Sequence, residues 1–154
     1  MLNLKKLDLT NEDEISFMHE TRFHPEVVKT LMTTEEVPYE KHVEYLKSRD
    51  NKHLFFICYS DKICVGYCQC FLASDKTWEL GWVINPTYQG KGYGKASVGL
   101  LLKEVVGLGG DTAELVVLKN NIRAISIYLS YGFKFKEQDL ENFWRMDLCL
   151  KNIT

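Results

Sequence analysis

A glycine-rich segment, Gln89-Gly-Lys-Gly-Tyr-Gly94, has the composition of an anion-binding loop. Its glycines lack Cβ atoms, so backbone N–H groups in this loop can come close to a ligand. From Gly94 the pattern becomes helical, because Val98, Leu101 and Val105 recur at three- and four-residue spacing. The free N–H groups and the dipole at a helix N-terminus favour negative charge. The segment therefore predicts a site for a phosphate or pyrophosphate.

Three known phosphate loops can be compared with this segment. A Walker A loop requires Gly-x4-Gly-Lys-Ser/Thr, but Ala96 follows Lys95 and Gln89 occupies the position of the first glycine. A Rossmann loop requires Gly-x-Gly-x-x-Gly, and its last glycine is missing here from either possible start. The remaining pattern, Gln89-x-x-Gly92-x-Gly94, resembles the acyl-CoA loop of the GCN5-related N-acetyltransferases (GNATs). An ordinary glycine turn before a helix is the alternative.

A second motif supports the same resemblance. Asn121, Ala124 and Tyr128 are followed by Gly132-Phe133, and the family commonly shows Asn-x-x-Ala-x-x-x-Tyr followed by Gly-Phe after its fifth strand. The resemblance implies an acetyl-CoA co-substrate, no metal, and a pantetheine arm between two parallel strands that splay apart. The implied cofactor-binding residues are Val83, Ile84, Gln89, Gly90, Lys91, Gly92, Tyr93, Gly94, Asn121 and Ala124.

The order of predicted elements is strand, helices, three strands, helix, strand, helix and two strands. The expected strands are 2–9, 53–59, 63–72, 77–84, 113–118, 133–136 and 143–148. Helices are expected after a capping box at 11–14, from Pro25, from Pro38, over 94–106, and from an Asn120-Asn121 cap to Gly132. This order predicts a three-layer α/β (α+β) fold with a mixed, mostly antiparallel sheet and helices on both faces. It is also the order of the GNAT family, so we expect one acetyltransferase domain over 1–154.

Acetyl transfer from a thioester to an amine requires deprotonation of the amine, hydrogen-bond donors for the oxyanion, and an acid for the leaving thiolate. Backbone N–H groups near Val83 are candidate oxyanion donors. Tyr128 is the predicted acid, because a phenol can protonate a thiolate. The structural alternative for Tyr128 is an aromatic core residue on an amphipathic helix.

Glu79 is the predicted general base. Strand alternation places it on the face opposite Trp78, Leu80 and Trp82, where a carboxylate in a partly dry cleft can take a proton directly or through water. Two alternatives remain open: Glu79 holds the ammonium group of the substrate, or it pairs structurally with a nearby lysine. The other candidates, His24, His42 and His53, are expected to be surface or capping residues.

The acceptor site is expected after the first strand, around residues 21–42. The Arg-x-His-Pro-x-Val pattern there resembles two family branches, one that acetylates amino-sugar nucleotides and one that acetylates protein N-termini. Arg22 is predicted to pair with a phosphate or to bond helix carbonyls. The predicted substrate-binding residues are Arg22, His24, Tyr39 and Trp82, with Tyr39, Trp82 and Trp144 as a stacking wall or as core.

Composition limits the other classes of function. The 154-residue chain is 45% hydrophobic and 26% charged, which fits a globular domain with a sizeable core. A net charge of −2 disfavours nucleic acid as the main partner. No apolar run or signal pattern predicts a membrane span or secretion, so we expect a cytoplasmic monomer or homodimer with a small amine as acceptor. A non-catalytic acyl-CoA-binding module is the alternative.

The five cysteines are expected to be reduced thiols rather than a disulfide framework. Cys64, Cys68 and Cys70 are predicted to share one face of a single strand. No Cys-x2-Cys pair occurs, so small core residues are favoured over a metal cluster.

Overall fold

One mixed sheet with helices on both faces organises the chain, as the element order predicted. The computed structural model describes the backbone of residues 1–151 and every side chain in that range except that of Asp139. The strands are β1 (Leu2–Lys6), β2 (His53–Ser60), β3 (Ile63–Ser74), β4 (Thr77–Ile84), β5 (Thr112–Leu118), β6 (Lys134–Leu140) and β7 (Phe143–Cys149). The helices are α1 (Glu12–Arg22), α2 (Pro25–Val28), α3 (Tyr39–Ser48), α4 (Tyr93–Gly107) and α5 (Ile122–Ser130), with a 3₁₀ turn at Pro86–Tyr88. Positions 152–154 of the expected domain lie outside the described residues.

The strand order in the sheet is β1-β2-β3-β4-β5-β7-β6. The three strands from β2 to β4 form the expected antiparallel meander, and β4 and β5 are parallel because α4 connects them. All other neighbouring strands in the described sheet are antiparallel. The last strand, β7, lies between β5 and β6, so β1 and β6 form the two edges.

The two faces of the sheet bury separate cores. On one face, α4 packs through Val98, Leu101 and Val105 against a large cluster that also contains Trp78 and Leu80 of β4. On the other face, a smaller cluster forms where Ile15 and Met18 of α1 and Leu46 of α3 meet Phe55, Ile57 and Tyr67 of the sheet. The layers are therefore α1 and α3, the sheet, and α4 with α5.

A bulge in β3 changes the predicted grouping of the cysteines. Tyr59 pairs with Cys64 but Cys58 pairs with Gly66, so Val65 is an extra residue in β3. Val65 therefore joins Cys68 and Cys70 in the large core, while Cys64 packs against the smaller core. The prediction that three cysteines share one face is wrong, because one inserted residue reverses the alternation. All five cysteines are free thiols.

The helix cap before α1 is only half of the predicted capping box. The Asn11 side chain accepts a hydrogen bond from the Glu14 backbone N–H at 3.1 Å, as expected for an N-cap. The Glu14 carboxylate does not return to Asn11. It is buried, and it accepts hydrogen bonds from Lys5 at 2.8 Å, Tyr59 at 2.6 Å and the Asp8 N–H at 3.1 Å. Glu14 therefore ties α1 to β1 and β2.

Some element boundaries differ from the prediction. The first strand ends at Lys6 rather than residue 9, and α2 contains only one turn. The edge strand β6 extends to Leu140 although residues 137–139 are polar, because an edge strand tolerates a polar sequence. Within residues 1–151, no helix has both the length and the apolar character to cross a membrane.

Candidate active site

A gap between two parallel strands opens the candidate site. The pairing of β4 with β5 covers only three residue pairs and ends at Glu79 opposite Glu114. From Leu80 onward, β4 diverges from β5, and a cleft of about 1030 Å³ begins beside its last residues. The splay that the family resemblance implied is therefore present.

The cleft has two walls, one from each of the two sequence motifs. The predicted residues that line it are Trp82, Val83, Ile84, Gln89, Gly90, Gly92, Tyr93, Gly94, Asn121, Ala124 and Tyr128. Lys91 is not among them; its ammonium group lies 5.9 Å from the centre of the ring of Tyr88, which itself lines the cleft. Two segments that are distant in sequence thus face one another across one cavity.

The glycine loop has the backbone geometry of an anion site. Gly90 and Gly92 adopt φ angles of +85° and +82°, which favour glycine. Gly92 is the N-cap of α4 and supplies no side-chain hydrogen bond, so the first N–H groups of this 15-residue helix are not capped by it. Lys95 and Arg123 also line the cleft and add positive charge. This end of the cleft is suited to a phosphate group.

The other polar residues of the two motifs have structural partners. The Gln89 side chain donates a hydrogen bond to the Ile84 carbonyl at 3.1 Å, which fixes the end of β4 against the loop. Tyr93 donates to the Ser60 hydroxyl at 3.0 Å. Asn121 caps α5, since its side-chain oxygen accepts from the Ala124 N–H at 3.2 Å. Its amide nitrogen is left as the group that can contact a ligand.

Tyr128 projects from α5 and lines the cleft. Burial raises the pKa of its phenol to about 12. Its ring lies 5.4 Å from the Trp82 ring and 6.0 Å from the Phe133 ring. Among the described residues, the Tyr128 hydroxyl has no hydrogen-bond partner. It is therefore a neutral donor that is available to a ligand at neutral pH.

Of the two alternatives for Tyr39, Trp82 and Trp144, the structure favours core residues over a stacking wall. Trp82 packs on the α4 side, where its indole N–H reaches the Ser97 carbonyl at 3.3 Å. Tyr39 packs on the opposite face of the sheet. Trp144 lies on β7, beneath the Lys119 ammonium group. The sheet therefore separates Tyr39 from Trp82 and Trp144, which both pack against the large core.

Glu79 lies at the base of the splay but does not line the cleft. Its carboxylate accepts a hydrogen bond from Arg145 at 2.8 Å, and Arg145 also contacts Glu114 at 3.4 Å. Lys136 extends this network to Glu114 at 2.7 Å. Glu79 does face away from Trp78 and Leu80, as strand alternation predicted. The ion pair favours the structural alternative for Glu79, although with Arg145 rather than a lysine, and its role as base stays a prediction.

Of the predicted acceptor residues, Trp82 lines the cleft, whereas Arg22 ends α1, His24 precedes α2 and Tyr39 begins α3. Arg22 donates to the Thr33 carbonyl at 2.9 Å, while its Nη1 atom is buried with no partner among the described residues. His24 caps α2, because its Nδ1 accepts from the Glu26 N–H at 3.1 Å. The capping expectation for His24 is therefore confirmed.

His42 and His53 are neither the surface residues nor the capping residues that the sequence predicted. The Nδ1 atoms of His42 and His19 lie 3.1 Å apart between α3 and α1. Burial, reinforced by His19 and Arg22, lowers the pKa of His42 to about 4. His53 is half-buried and contacts Gln69 at 2.8 Å, and burial lowers its pKa as well.

The sequence placed the acceptor site around residues 21–42 but singled out none of the α2 residues with which this region lines the cleft. Glu26, Val27 and Thr30 line it from the N-terminal third of the chain. A hydrogen bond from Asn85 to Thr21, at 2.9 Å, places the end of α1 beside the end of β4 and so directs α2 toward the cleft. A contact across 64 residues has no local sequence signal. No cluster of His, Cys, Asp or Glu suitable for a metal occurs in the part of the chain that the structure describes.

Several known acetyltransferases are similar to this chain in sequence or in fold. Acetyltransferase PseH of Campylobacter jejuni is 25% identical over 98% of this chain and 94% of its own. The crystal structure of C. jejuni PseH with acetyl coenzyme A has a TM-score of 0.75 at 21% identity and covers 97% of this chain and 99% of that chain. Spermidine N-acetyltransferase from Vibrio cholerae, in complex with CoA and spermine, has a TM-score of 0.86 at 19% identity and covers 97% and 95%. These structural likenesses show the fold.

A comparison at the level of the family agrees with the two motifs. Residues 18–133 match the Acetyltransferase (GNAT) family, a range that includes both the glycine loop and the Asn121–Phe133 segment. The chain therefore belongs to the GNAT family of acetyltransferases.

Proposed function

We propose that this protein transfers the acetyl group of acetyl-CoA to a primary amine in a ternary complex. The observation that carries the proposal is the cleft at the β4–β5 splay. The glycine loop and the uncapped N-terminus of α4 form one wall, and the other wall carries the free Tyr128 hydroxyl. An anion site and a proton donor facing one cavity match the two ends of an acyl-CoA. The PseH structure with acetyl coenzyme A supports this choice of cofactor.

The cofactor is assigned to the cleft as follows. Its pyrophosphate lies at residues 89–94 and the N-terminus of α4, with Lys95 and Arg123 as additional positive charges. Its pantetheine arm lies along the diverging edge of β4. There it takes the place of β5 and bonds the backbone groups of Val83 and Ile84, which β5 no longer pairs. Its thioester lies beside Tyr128.

In the reaction, the amine nitrogen forms a bond to the thioester carbon, and the carbon–sulfur bond then breaks. The amine gives its proton to a solvent water molecule, and the sulfur leaves as a thiolate that takes up a proton from solvent. Tyr128 donates a hydrogen bond to the departing sulfur, which stabilises its developing charge. We assign Glu79 to hold Arg145 and the base of the splay rather than to abstract the proton, because it pairs with Arg145 and does not face the cleft.

The proposed acceptor is an amino-sugar nucleotide or another small amine. We keep Arg22 as the candidate phosphate-binding residue because its Nη1 donor has no partner among the described residues, although this atom is buried and Arg22 does not line the cleft. The pattern from Arg22 to Val27, which resembles the family branch that acetylates amino-sugar nucleotides, supports this substrate class. A protein N-terminus is the second candidate, since the same N-terminal pattern resembles that branch of the family. A non-catalytic module has no need for a proton donor at Tyr128.

We place the protein in the cytoplasm, where its five free thiols stay reduced. We assign it no nucleic-acid or membrane partner, in accord with its net charge of −2. It acts as a monomer or homodimer.

A panel of amines tests the proposed reaction. Purified protein and acetyl-CoA are mixed with UDP-glucosamine, a UDP-linked 4-amino sugar, spermidine or a tripeptide with a free N-terminus, and CoA release is measured. We expect a UDP-linked amino sugar to give the highest kcat/KM. A higher value for the peptide would support the N-terminal acetyltransferase, and no release with any amine would contradict the proposed activity.

A further inference from the structure

A second tyrosine connects the two walls of the cleft. Tyr131 follows α5, and its hydroxyl donates a hydrogen bond to the Lys95 carbonyl at 2.6 Å. Lys95 lies in the first turn of α4, directly after the glycine loop. Because β4 and β5 no longer pair at this level, the hydrogen bond joins two elements that the sheet does not hold together here.

Gly99 makes room for this contact. A Cβ atom at Gly99 would lie 2.9 Å from the Tyr131 hydroxyl oxygen and 3.4 Å from Cε1 of its ring. A glycine inside a helix costs about 1 kcal/mol relative to alanine. Its presence in α4 therefore has a specific packing consequence, which is the close approach of the Tyr131 ring to the helix.

Tyr131 and Tyr128 belong to one rigid turn. The Tyr131 N–H donates to the Tyr128 carbonyl at 3.1 Å, and the Phe133 N–H donates to the same carbonyl at 3.1 Å. Gly132, at a φ angle of +99°, closes the turn. Residues three apart on a helix also project to the same side. Any displacement of Tyr131 relative to α4 therefore moves Tyr128 as well.

We propose that Tyr131 is a positioning residue, which fixes Tyr128 relative to the pyrophosphate loop by bonding Lys95. This inference rests on the proposed function, in which Tyr128 assists the departing sulfur while residues 89–94 hold the other end of the cofactor. The distance between these two groups must match the length of the bound acyl-CoA. The Tyr131–Lys95 hydrogen bond sets that distance.

A double-mutant cycle tests the inference with acetyl-CoA and the fastest amine of the panel. Tyr131→Phe removes the hydroxyl and keeps the ring. We expect kcat to fall about tenfold in the native background but less than twofold in a Tyr128→Phe background, because a positioning residue has no effect once its target is absent. Acetyl-CoA affinity, measured by titration, should change less than about threefold. Gly99→Ala, which crowds the Tyr131 ring, should show the same coupling to Tyr128.

A matched control separates positioning from general loss of stability. Tyr59→Phe also removes a tyrosine hydroxyl with a 2.6 Å hydrogen bond, but its partner Glu14 lies on the far side of the sheet. It should lower the melting temperature and leave kcat unchanged in both backgrounds. An equal fall in kcat for Tyr131→Phe in both backgrounds, or no fall in the native one, would overturn the inference. Tyr128→Phe alone, if it left kcat unchanged, would instead refute the acid role in the proposed function.

Discussion

Tyr128 combines a buried ring with a hydroxyl that faces the cleft. Burial disfavours the phenolate, and it raises the pKa of Tyr128 to about 12. The phenol is therefore a weaker acid than an exposed tyrosine, but it stays protonated at every pH at which common amines become neutral. Its contribution is a hydrogen bond to the developing thiolate, and it carries no charge of its own while the amine attacks.

Replacing Tyr128 by phenylalanine removes this donor and preserves the ring contact with Trp82. We expect kcat to fall at least about tenfold, since general acid assistance typically contributes a factor of 10² or more, while acetyl-CoA affinity is retained. Stopped-flow or steady-state measurement of CoA release gives kcat, and titration with acetyl-CoA gives the affinity. Because the pKa lies near 12, the wild-type rate should show no alkaline decline from Tyr128 below about pH 11. An unchanged kcat would remove Tyr128 from the mechanism.

Glu79 provides the opposite case, a polar residue on a central strand whose carboxylate is already paired. Glu79→Gln retains the shape of the side chain and weakens the hydrogen bond to Arg145. We expect lower stability in urea melts and an unshifted pH–rate profile for kcat/KM. Loss of the acidic limb of that profile would show that Glu79 is the general base after all.

His42 makes folding sensitive to acid. Its pKa is about 4 in the folded chain and about 6.5 in the unfolded chain, so between these values only the unfolded chain binds the proton. The free energy of unfolding therefore falls as the pH falls through this window, by about 2.5 kcal/mol between pH 7 and pH 4.5. Urea melts should show this loss in the wild type and a smaller loss in His42→Gln.

The matched control for this prediction is His24→Asn. Asparagine preserves the cap of α2, and His24 lies outside the His19–His42 pair. The variant should therefore keep the pH dependence of the wild type. If His42→Gln and His24→Asn lost stability equally on acidification, the His19–His42 pair would not be the source of the effect.

The end of β4 is held in place from three directions. The Gln89 side chain bonds its last carbonyl, Trp82 bonds α4, and Gly66 of β3 lets the two backbones approach closely. The bulge at Val65 occurs beside this approach, and the Val65 carbonyl accepts from the Asn85 N–H at 2.9 Å. These contacts define the edge on which the pantetheine arm is proposed to lie.

Gly66→Ala tests this arrangement. A Cβ atom there would lie 2.4 Å from the Val83 carbonyl oxygen, so β4 must move. We expect a loss of about 1–3 kcal/mol in the free energy of unfolding and weaker binding of acetyl-CoA. Gly107→Ala is the control, since a Cβ at this helical position meets nothing within 4 Å and should leave both quantities unchanged or raise stability slightly. Equal affinities for the two variants would contradict the proposed role of the β4 edge.

Local sequence patterns predicted the order of elements along the chain and the two motif segments of the cleft. The glycine loop and the Asn121 cap depend on short-range geometry, which a sequence displays directly. Three other features depend on contacts between distant segments. They are the contribution of α2 to the cleft, the Glu79–Arg145 pair, and the separation of Tyr39 from Trp82. The predicted grouping of the cysteines was wrong for a related reason. One bulged residue in β3 reverses the alternation of side chains on which that prediction relied.

The most direct test of the central claim is a thermal melt with acetyl-CoA, with NADH and ATP as controls. A ligand at about 100 times its Kd adds roughly 2.7 kcal/mol to the free energy of unfolding, which corresponds to several degrees for a domain of this size. We predict such a shift with acetyl-CoA and none of comparable size with NADH or ATP. No shift at millimolar acetyl-CoA, or an equal shift with ATP, would contradict the assignment of the cleft as an acetyl-CoA site.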